Sequence, residues 1–244
     1  MVIFILLSNS FGQDRPDHFE LLSKHFHVAK PKGNGPFPAV MLVPGCTGFN
    51  WDFMKTQYDR TQNLLVESGF YTIRVDYLAV RNIPSCMMGV SPEDVANDIG
   101  AVVNYLRHLN VVKKHTLNFI GWSFGGAGAL KLLKDYNSPG AAKIDAVIAY
   151  YPPCVYVQSW NSEVPALILI GANDNAAPPI NCKSLFNGLP NPEKVTIRIY
   201  DDAYHCFDNR DLPPEMKIGL LGTVGYNEAA AKSAWKEVTD FLKR

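Results

Sequence analysis

Apolar residues recur along the chain in two patterns. Short, mostly apolar runs lie at residues 39–43, 71–76, 116–120, 144–150, 165–171 and 195–200. Runs of this length with few polar interruptions predict strands buried on both faces. Between them the apolar positions follow helical spacing. Residues 56–68 read as a helix closed by Gly69, a residue suited to the left-handed turn beyond a helix end. Ser91, Pro92, Glu93 and Asp94 form a helix start, and Val95, Ile99, Val102, Val103 and Leu106 then share one face up to about Leu109. Residues 124–133 and 179–186 predict two further helices. Residues 226–242 predict a closing amphipathic helix with Ala230, Ala234, Trp235, Val238, Phe241 and Leu242 inward. Residues 19–29 alternate enough to read as an outer strand, residues 31–36 as a turn, and residues 212–225 as a flap near a site. Strands alternating with helices predict an α/β fold, a mostly parallel central sheet with helices on both faces. Ligands on such sheets bind at the carboxyl ends of the strands.

One stretch carries chemistry on this pattern. The strand 116–120 runs directly into Gly121-Trp122-Ser123-Phe124-Gly125 and then into a helix. This is G-x-S-x-G in strand-turn-helix context, in which a strained serine stands clear of the sheet at a helix N-terminus. The alternative is an ordinary Gly-rich turn. Asp174 follows the strand 165–171, and His205 follows the last strand. The order Ser123, Asp174, His205 is that of a serine hydrolase on such a sheet. A serine hydroxyl becomes a competent nucleophile when an imidazole takes its proton and a carboxylate orients that imidazole. Asp201, Asp202 and Asp208 flank His205 too closely in sequence to serve as the orienting acid. Backbone N–H groups of Phe124 and Cys46 are the expected oxyanion donors, the latter from the loop Pro44-Gly45-Cys46-Thr47-Gly48. The Cys46 side chain itself reads as a small buried thiol. Trp51, Trp122, Tyr77, Tyr151 and Phe207 either wall an apolar acyl pocket or form aromatic core. Arg81 either holds a substrate carboxylate through its fork of donors or pairs with a loop acid. His25 and His27 would share a strand face, solvated rather than metal-binding, and His18, His108 and His115 read as surface residues. No metal site is expected.

Composition narrows the class. The 244 residues suit one large α/β domain over residues 19–244, preceded by an N-terminal segment 1–18. Lys+Arg and Asp+Glu both number 23, which argues against nucleic acid or an anionic membrane as partner. The apolar run 2–7 reads either as the remainder of a secretory signal or as the start of the fold, and is too short to span a membrane. Secretion or periplasmic export is slightly favoured over a cytoplasmic location. Cys46, Cys86, Cys154, Cys182 and Cys206 form no C-x-x-C pair, and their odd number leaves at least one free thiol.

The chain resembles the dienelactone hydrolase family of α/β-hydrolases. The likeness is carried by residues 38–48, Asp76-Tyr77-Leu78-Ala79-Val80-Arg81, Gly121-Trp122-Ser123-Phe124-Gly125-Gly126, Gly171-Ala172-Asn173-Asp174 and Tyr204-His205-Cys206-Phe207-Asp208. It implies hydrolysis of a small-molecule ester or lactone without a cofactor; a monomer or small homo-oligomer is expected. The founding enzymes use a Cys nucleophile served by a Glu, where this chain has Ser123 and Gly45. The chain is therefore closer to a serine branch of the family. Likeness to that branch at Tyr151-Pro152-Pro153-Cys154 and at Cys182 implies a Cys154–Cys182 disulfide. Acyl transfer or peptide hydrolysis by the same triad, and a non-catalytic binding protein on the same fold, are the alternatives.

Overall fold

The apolar runs assemble into a seven-stranded sheet in the computed structural model, which describes residues 16–134, 144–219 and 222–243. The strands are β1 (Phe26–Ala29), β2 (Phe37–Val43), β3 (Tyr71–Val75), β4 (Val112–Trp122), β5 (Ile144–Tyr150), β6 (Ala166–Gly171) and β7 (Val195–Tyr200). Their spatial order is β1-β3-β2-β4-β5-β6-β7. β1 is antiparallel to β3, and every other pairing in the sheet is parallel. The helices are α1 (Pro16–Ser23), α2 (Asp52–Glu67), α3 (Pro92–Arg107), α4 (Ser123–Leu133), α5 (Pro179–Leu185) and α6 (Glu228–Phe241). A separate antiparallel ribbon, β8 (Met216–Lys217) with β9 (Thr223–Val224), lies in the expected flap.

The strands lack polar alternation because helices cover both faces of the sheet. Ala39, Met41 and Val43 of β2 join one core with Val95, Ile99 and Val102 of α3 and Leu130 and Leu133 of α4. Val40 and Leu42 join the opposite core with Met54 and Tyr58 of α2 and Ala234 and Val238 of α6. β5 and β6 divide their side chains in the same period-two manner. The expected fold class is thus the observed one. From β2 the chain winds outward to β3, then crosses back to β4 and continues through β5, β6 and β7. The winding reverses between β2 and β4, which opens a crevice at their carboxyl ends.

Local signals place the helices. The α3 start is a capping box: Ser91 Oγ accepts from the Asp94 N–H at 3.1 Å, and Asp94 Oδ2 accepts from the Ser91 N–H at 2.8 Å. Three boundaries differ from expectation by four residues or more. Residues 19–29 are not one strand, since α1 runs to Ser23 and only Phe26–Ala29 pair with β3. Phe19 and Leu22 stand three apart, which places them on one side of a helix. Leu22 is fully buried, and the Phe19 ring packs on Tyr105 and Phe26. β4 begins at Val112, because Val112 pairs with Phe37. α2 begins at Asp52, one turn early, which buries Met54. The apolar run 2–7 lies outside the described residues.

The sheet and α4 meet backbone to backbone at Gly125. A Cβ there would run into the carbonyl oxygens of Val43 and Pro44, neither of which is the end of a flexible side chain. Gly125→Ala is therefore expected to lower the unfolding free energy by about 1–3 kcal/mol or more, read as a lower urea midpoint. A midpoint equal to that of the parent protein would mean that β2 and α4 part easily.

Candidate active site

β4 ends at Trp122 and α4 begins at Ser123 with no residue between them. Ser123 takes the turn with φ 48°, a conformation that non-glycine residues rarely adopt. The turn is this tight because Gly121 has no side chain; a Cβ on it would lie 2.6 Å from the Gly126 Cα. Ser123 remains partly accessible between buried neighbours. No side chain caps the N-terminus of α4, where the Phe124 N–H lies.

The loop after β2 runs beside this corner. A Cβ on Gly45 would sit 3.4 Å from the Ser123 Cβ. Two tyrosines hold Gly45 from both ends of its peptide units. The Gly45 N–H donates to the Tyr58 hydroxyl at 3.0 Å, and the Tyr77 hydroxyl donates to the Gly45 carbonyl at 2.7 Å. Burial pushes the Tyr77 phenol well above its ordinary pKa, so it stays protonated and keeps donating. Cys46 is fixed next. Its carbonyl accepts from the Cys86 N–H at 2.8 Å, and its sulfur is joined to Cys86 in a disulfide.

Asp174 and His205 come to Ser123 from two neighbouring strand ends. Asp174 Oδ1 accepts from the N–H groups of Ala176 at 3.0 Å and Ala177 at 2.7 Å, which fixes the carboxylate plane. Its Oδ2 lies 2.7 Å from His205 Nδ1, and His205 Nε2 lies 3.0 Å from Ser123 Oγ. A carboxylate only accepts, so Nδ1 carries the hydrogen and Nε2 presents its lone pair to the serine hydroxyl. Asp174 and His205 are both buried. Their loops interlock: the Asn173 N–H donates to the Ala203 carbonyl at 3.0 Å. The flap residues brace both loops. The Thr223 N–H donates to Asn175 Oδ1 at 2.8 Å, and the Gly225 N–H to the His205 carbonyl at 3.0 Å.

Other expected contacts are placed differently. Arg81 does not face the crevice with a free fork. Its Nη1 donates to Asp98 Oδ2 at 2.5 Å and to the Tyr77 carbonyl at 2.7 Å, and its Nη2 to Asp98 Oδ1 at 3.3 Å. Its partner is thus a buried acid of α3 rather than a substrate or a loop acid. His18, read as a surface residue, shares that acid at 2.6 Å. Tyr77 and Trp122 are core rather than pocket wall, at 0% and 1% exposure. Tyr77 is committed to Gly45, while Trp122 stacks on Tyr150 and donates Nε1–H to Asp208 at 2.9 Å. Tyr151 and Phe207 are likewise core, and only Trp51 is exposed. His25 lies before β1, so His27 alone occupies the strand, with its ring edge-on to Phe49. Among the described residues no group of three or more His, Cys, Asp or Glu side chains is arranged to hold a metal ion.

The cysteines pair as Cys46–Cys86 and Cys154–Cys182, and Cys206 is free and buried. The second pair is the one that the resemblance implied. The first gives no sequence signal, because it joins loops 40 residues apart. Asp208, set aside in the sequence as too close to His205 to orient it, has both oxygens engaged by side chains from distant elements.

No curated protein matches the chain in sequence. Solved structures resemble it in fold. A putative dienelactone hydrolase from Klebsiella pneumoniae subsp. pneumoniae is 19% identical with a TM-score of 0.70, over 90% of this chain and 92% of that one. A dienelactone hydrolase-like promiscuous phosphotriesterase from metagenomic libraries is 17% identical with a TM-score of 0.65, over 89% and 91%. The propionate-bound esterase 2 of Thermogutta terrifontis is 16% identical with a TM-score of 0.61, over 89% and 88%. The profile of the dienelactone hydrolase family matches residues 25–244, nearly the whole described fold, and the chain belongs to that family of carboxylic ester hydrolases on the α/β-hydrolase fold.

Proposed function

We propose that the protein hydrolyses small carboxylic esters or lactones through a serine acyl-enzyme, with Ser123, His205 and Asp174 as the triad. One observation carries this: the unbroken hydrogen-bond chain from Asp174 through His205 to a serine held at φ 48° on a strand-to-helix corner. Ser123 Oγ attacks the ester carbonyl carbon as its proton passes to His205 Nε2. Asp174 stabilises the imidazolium and keeps the ring oriented. The carbonyl oxygen becomes an oxyanion and accepts from the N–H groups of Phe124 and Cys46. The intermediate collapses, the C–O bond to the alcohol breaks, and His205 gives that alcohol its proton. Water then enters, His205 takes a proton from it, and the acyl group leaves as a carboxylic acid while Ser123 regains its hydrogen. Each step uses the chain's own groups and water. In a lactone the leaving alcohol stays tethered to the acyl group, and the same sequence opens the ring.

Two tests follow from the roles given to Ser123 and Cys46. Ser123→Ala is expected to reduce turnover of a short-chain p-nitrophenyl ester by on the order of a thousandfold or more, and to abolish labelling by a fluorophosphonate. Labelling or turnover of that variant at the parent rate would reject the triad. The second test concerns the oxyanion loop. Replacing both Cys46 and Cys86 by Ser removes one of the ties that fix the Cys46 peptide. A fall in kcat of roughly tenfold is expected, with KM changed much less, because a donor that wanders stabilises the oxyanion less. An unaltered kcat in the folded double variant would show that the two tyrosines suffice.

A further inference from the structure

Asp208 stands three residues after His205 and takes no part in the proton path above. As a residue it is partly exposed, yet both of its carboxylate oxygens turn inward. Oδ2 accepts from Gln57 Nε2 at 2.6 Å and from Trp122 Nε1 at 2.9 Å, and Oδ1 accepts from the Tyr151 hydroxyl at 2.6 Å. All three donors are buried, at 2%, 1% and 0% exposure. They come from three separate places: α2, the last residue of β4, and the residue that follows β5. Gln57 turns its amide nitrogen to Asp208 although its own Oε1 then finds no partner among the described residues. Burial pushes the Asp208 carboxyl upward, while the hydrogen bonds from Tyr151, Trp122 and Gln57 act against that rise. Three convergent donors call for an acceptor with no hydrogen of its own, which an ionised carboxylate is and an amide is not.

What these donors touch gives the network its meaning. Trp122 immediately precedes Ser123. The Tyr151 ring lies against the His205 ring, 4.4 Å between centroids. Three non-glycine residues here hold positive φ: Ser123 at 48°, Tyr151 at 39°, and Cys206, next to His205, at 60°. Such conformations persist only where the surroundings over-determine them. Each of the three is either bonded to Asp208 or is the chain neighbour of a residue in this cluster.

We propose that Asp208 is a positioning residue: one acceptor that ties Trp122 and Tyr151 to the histidine loop and so keeps Ser123 Oγ and His205 Nε2 in register. It rests on the serine-hydrolase reading above and acts through Trp122 and Tyr151 rather than on the substrate. The function of Asp208 is then distinct from that of Asp174, which bonds to the imidazole directly.

Two variants test it, Asp208→Asn and Tyr151→Phe. The first keeps the shape but turns one accepting oxygen into a donor that faces donors. The second removes a single hydroxyl and leaves the ring on His205. For each, thermal unfolding, kcat and KM on a p-nitrophenyl ester, and the rate of fluorophosphonate labelling are measured. For Asp208→Asn a fall in kcat of about ten- to a hundredfold is expected, with KM within about twofold and labelling slowed in proportion, because the attack by Ser123 is mis-set. Tyr151→Phe should show the same pattern at smaller size. A purely structural Asp208 would lower the melting temperature and leave kcat and labelling of the folded protein unchanged. That outcome overturns the proposal, as does a rise in KM at constant kcat. Should Asp208→Asn fail to fold, parent-like kcat in Tyr151→Phe overturns it instead. Ser123→Ala separates the two levels: an inactive Ser123→Ala beside a fully active Asp208→Asn removes only this inference, whereas an active Ser123→Ala removes the serine reading itself.

Discussion

The contact on which the rest depends is the approach of the α4 backbone to the end of β2. Gly125 lies so close to the peptides of Val43 and Pro44 that no side chain fits between them. Helices usually stand off a sheet by the thickness of their side chains. Here that layer is absent at one point, and Gly121 removes it again where β4 faces Gly126. The loop that follows β2 is thereby delivered next to Ser123. The separation of Ser123 from the Gly45 loop is a packing distance, set by the core.

The acid and the histidine are held by a second close approach of the same kind. A Cβ on Gly171 would collide with the carbonyl of Ala203, so the loops after β6 and β7 share one backbone layer. The residues around β8 and β9 then tie into both, through Asn175 and through the His205 carbonyl. Asp174 spends one oxygen on two backbone N–H groups and offers the other to the imidazole. Hydrogen bonds to an ionised group are roughly twice as strong as neutral ones, so this carboxylate both orients and is oriented. The tyrosines act similarly on the facing side of the crevice. Tyr58 and Tyr77 grip the two polar ends of Gly45 from within the core.

The positions of candidate residues at the ends of their own strands were legible in the sequence. Ser123, Asp174 and His205 each follow an apolar run that announces a strand, and a parallel sheet gathers those ends together. The Ser91–Asp94 cap was legible for the same reason, since its partners are three residues apart. Pairings between distant segments left no such trace. Arg81, in the turn after β3, pairs with Asp98 of α3, 17 residues on, and nothing in either neighbourhood announces this. Cys46 meets Cys86 across the loops after β2 and β3, where spacing alone is silent. Residues 19–29 misled because Phe19, Leu21, Phe26 and Val28 mimic alternation, while the burial of Leu22 belongs to a helix. The aromatic residues at strand ends suit a pocket and a core equally in sequence; the hydrogen bonds of Tyr77, Tyr151 and Trp122 decide for the core.

Cys206 directly follows His205 in the chain and would look, by sequence position alone, like a spare nucleophile. Burial drives its thiol far above the ordinary range, and the charges of Asp208 and Asp174 push the same way. The other four cysteines are locked in bridges. None of the five cysteines therefore presents an accessible thiol to peroxides or alkylating agents, since the one unbridged sulfur is buried.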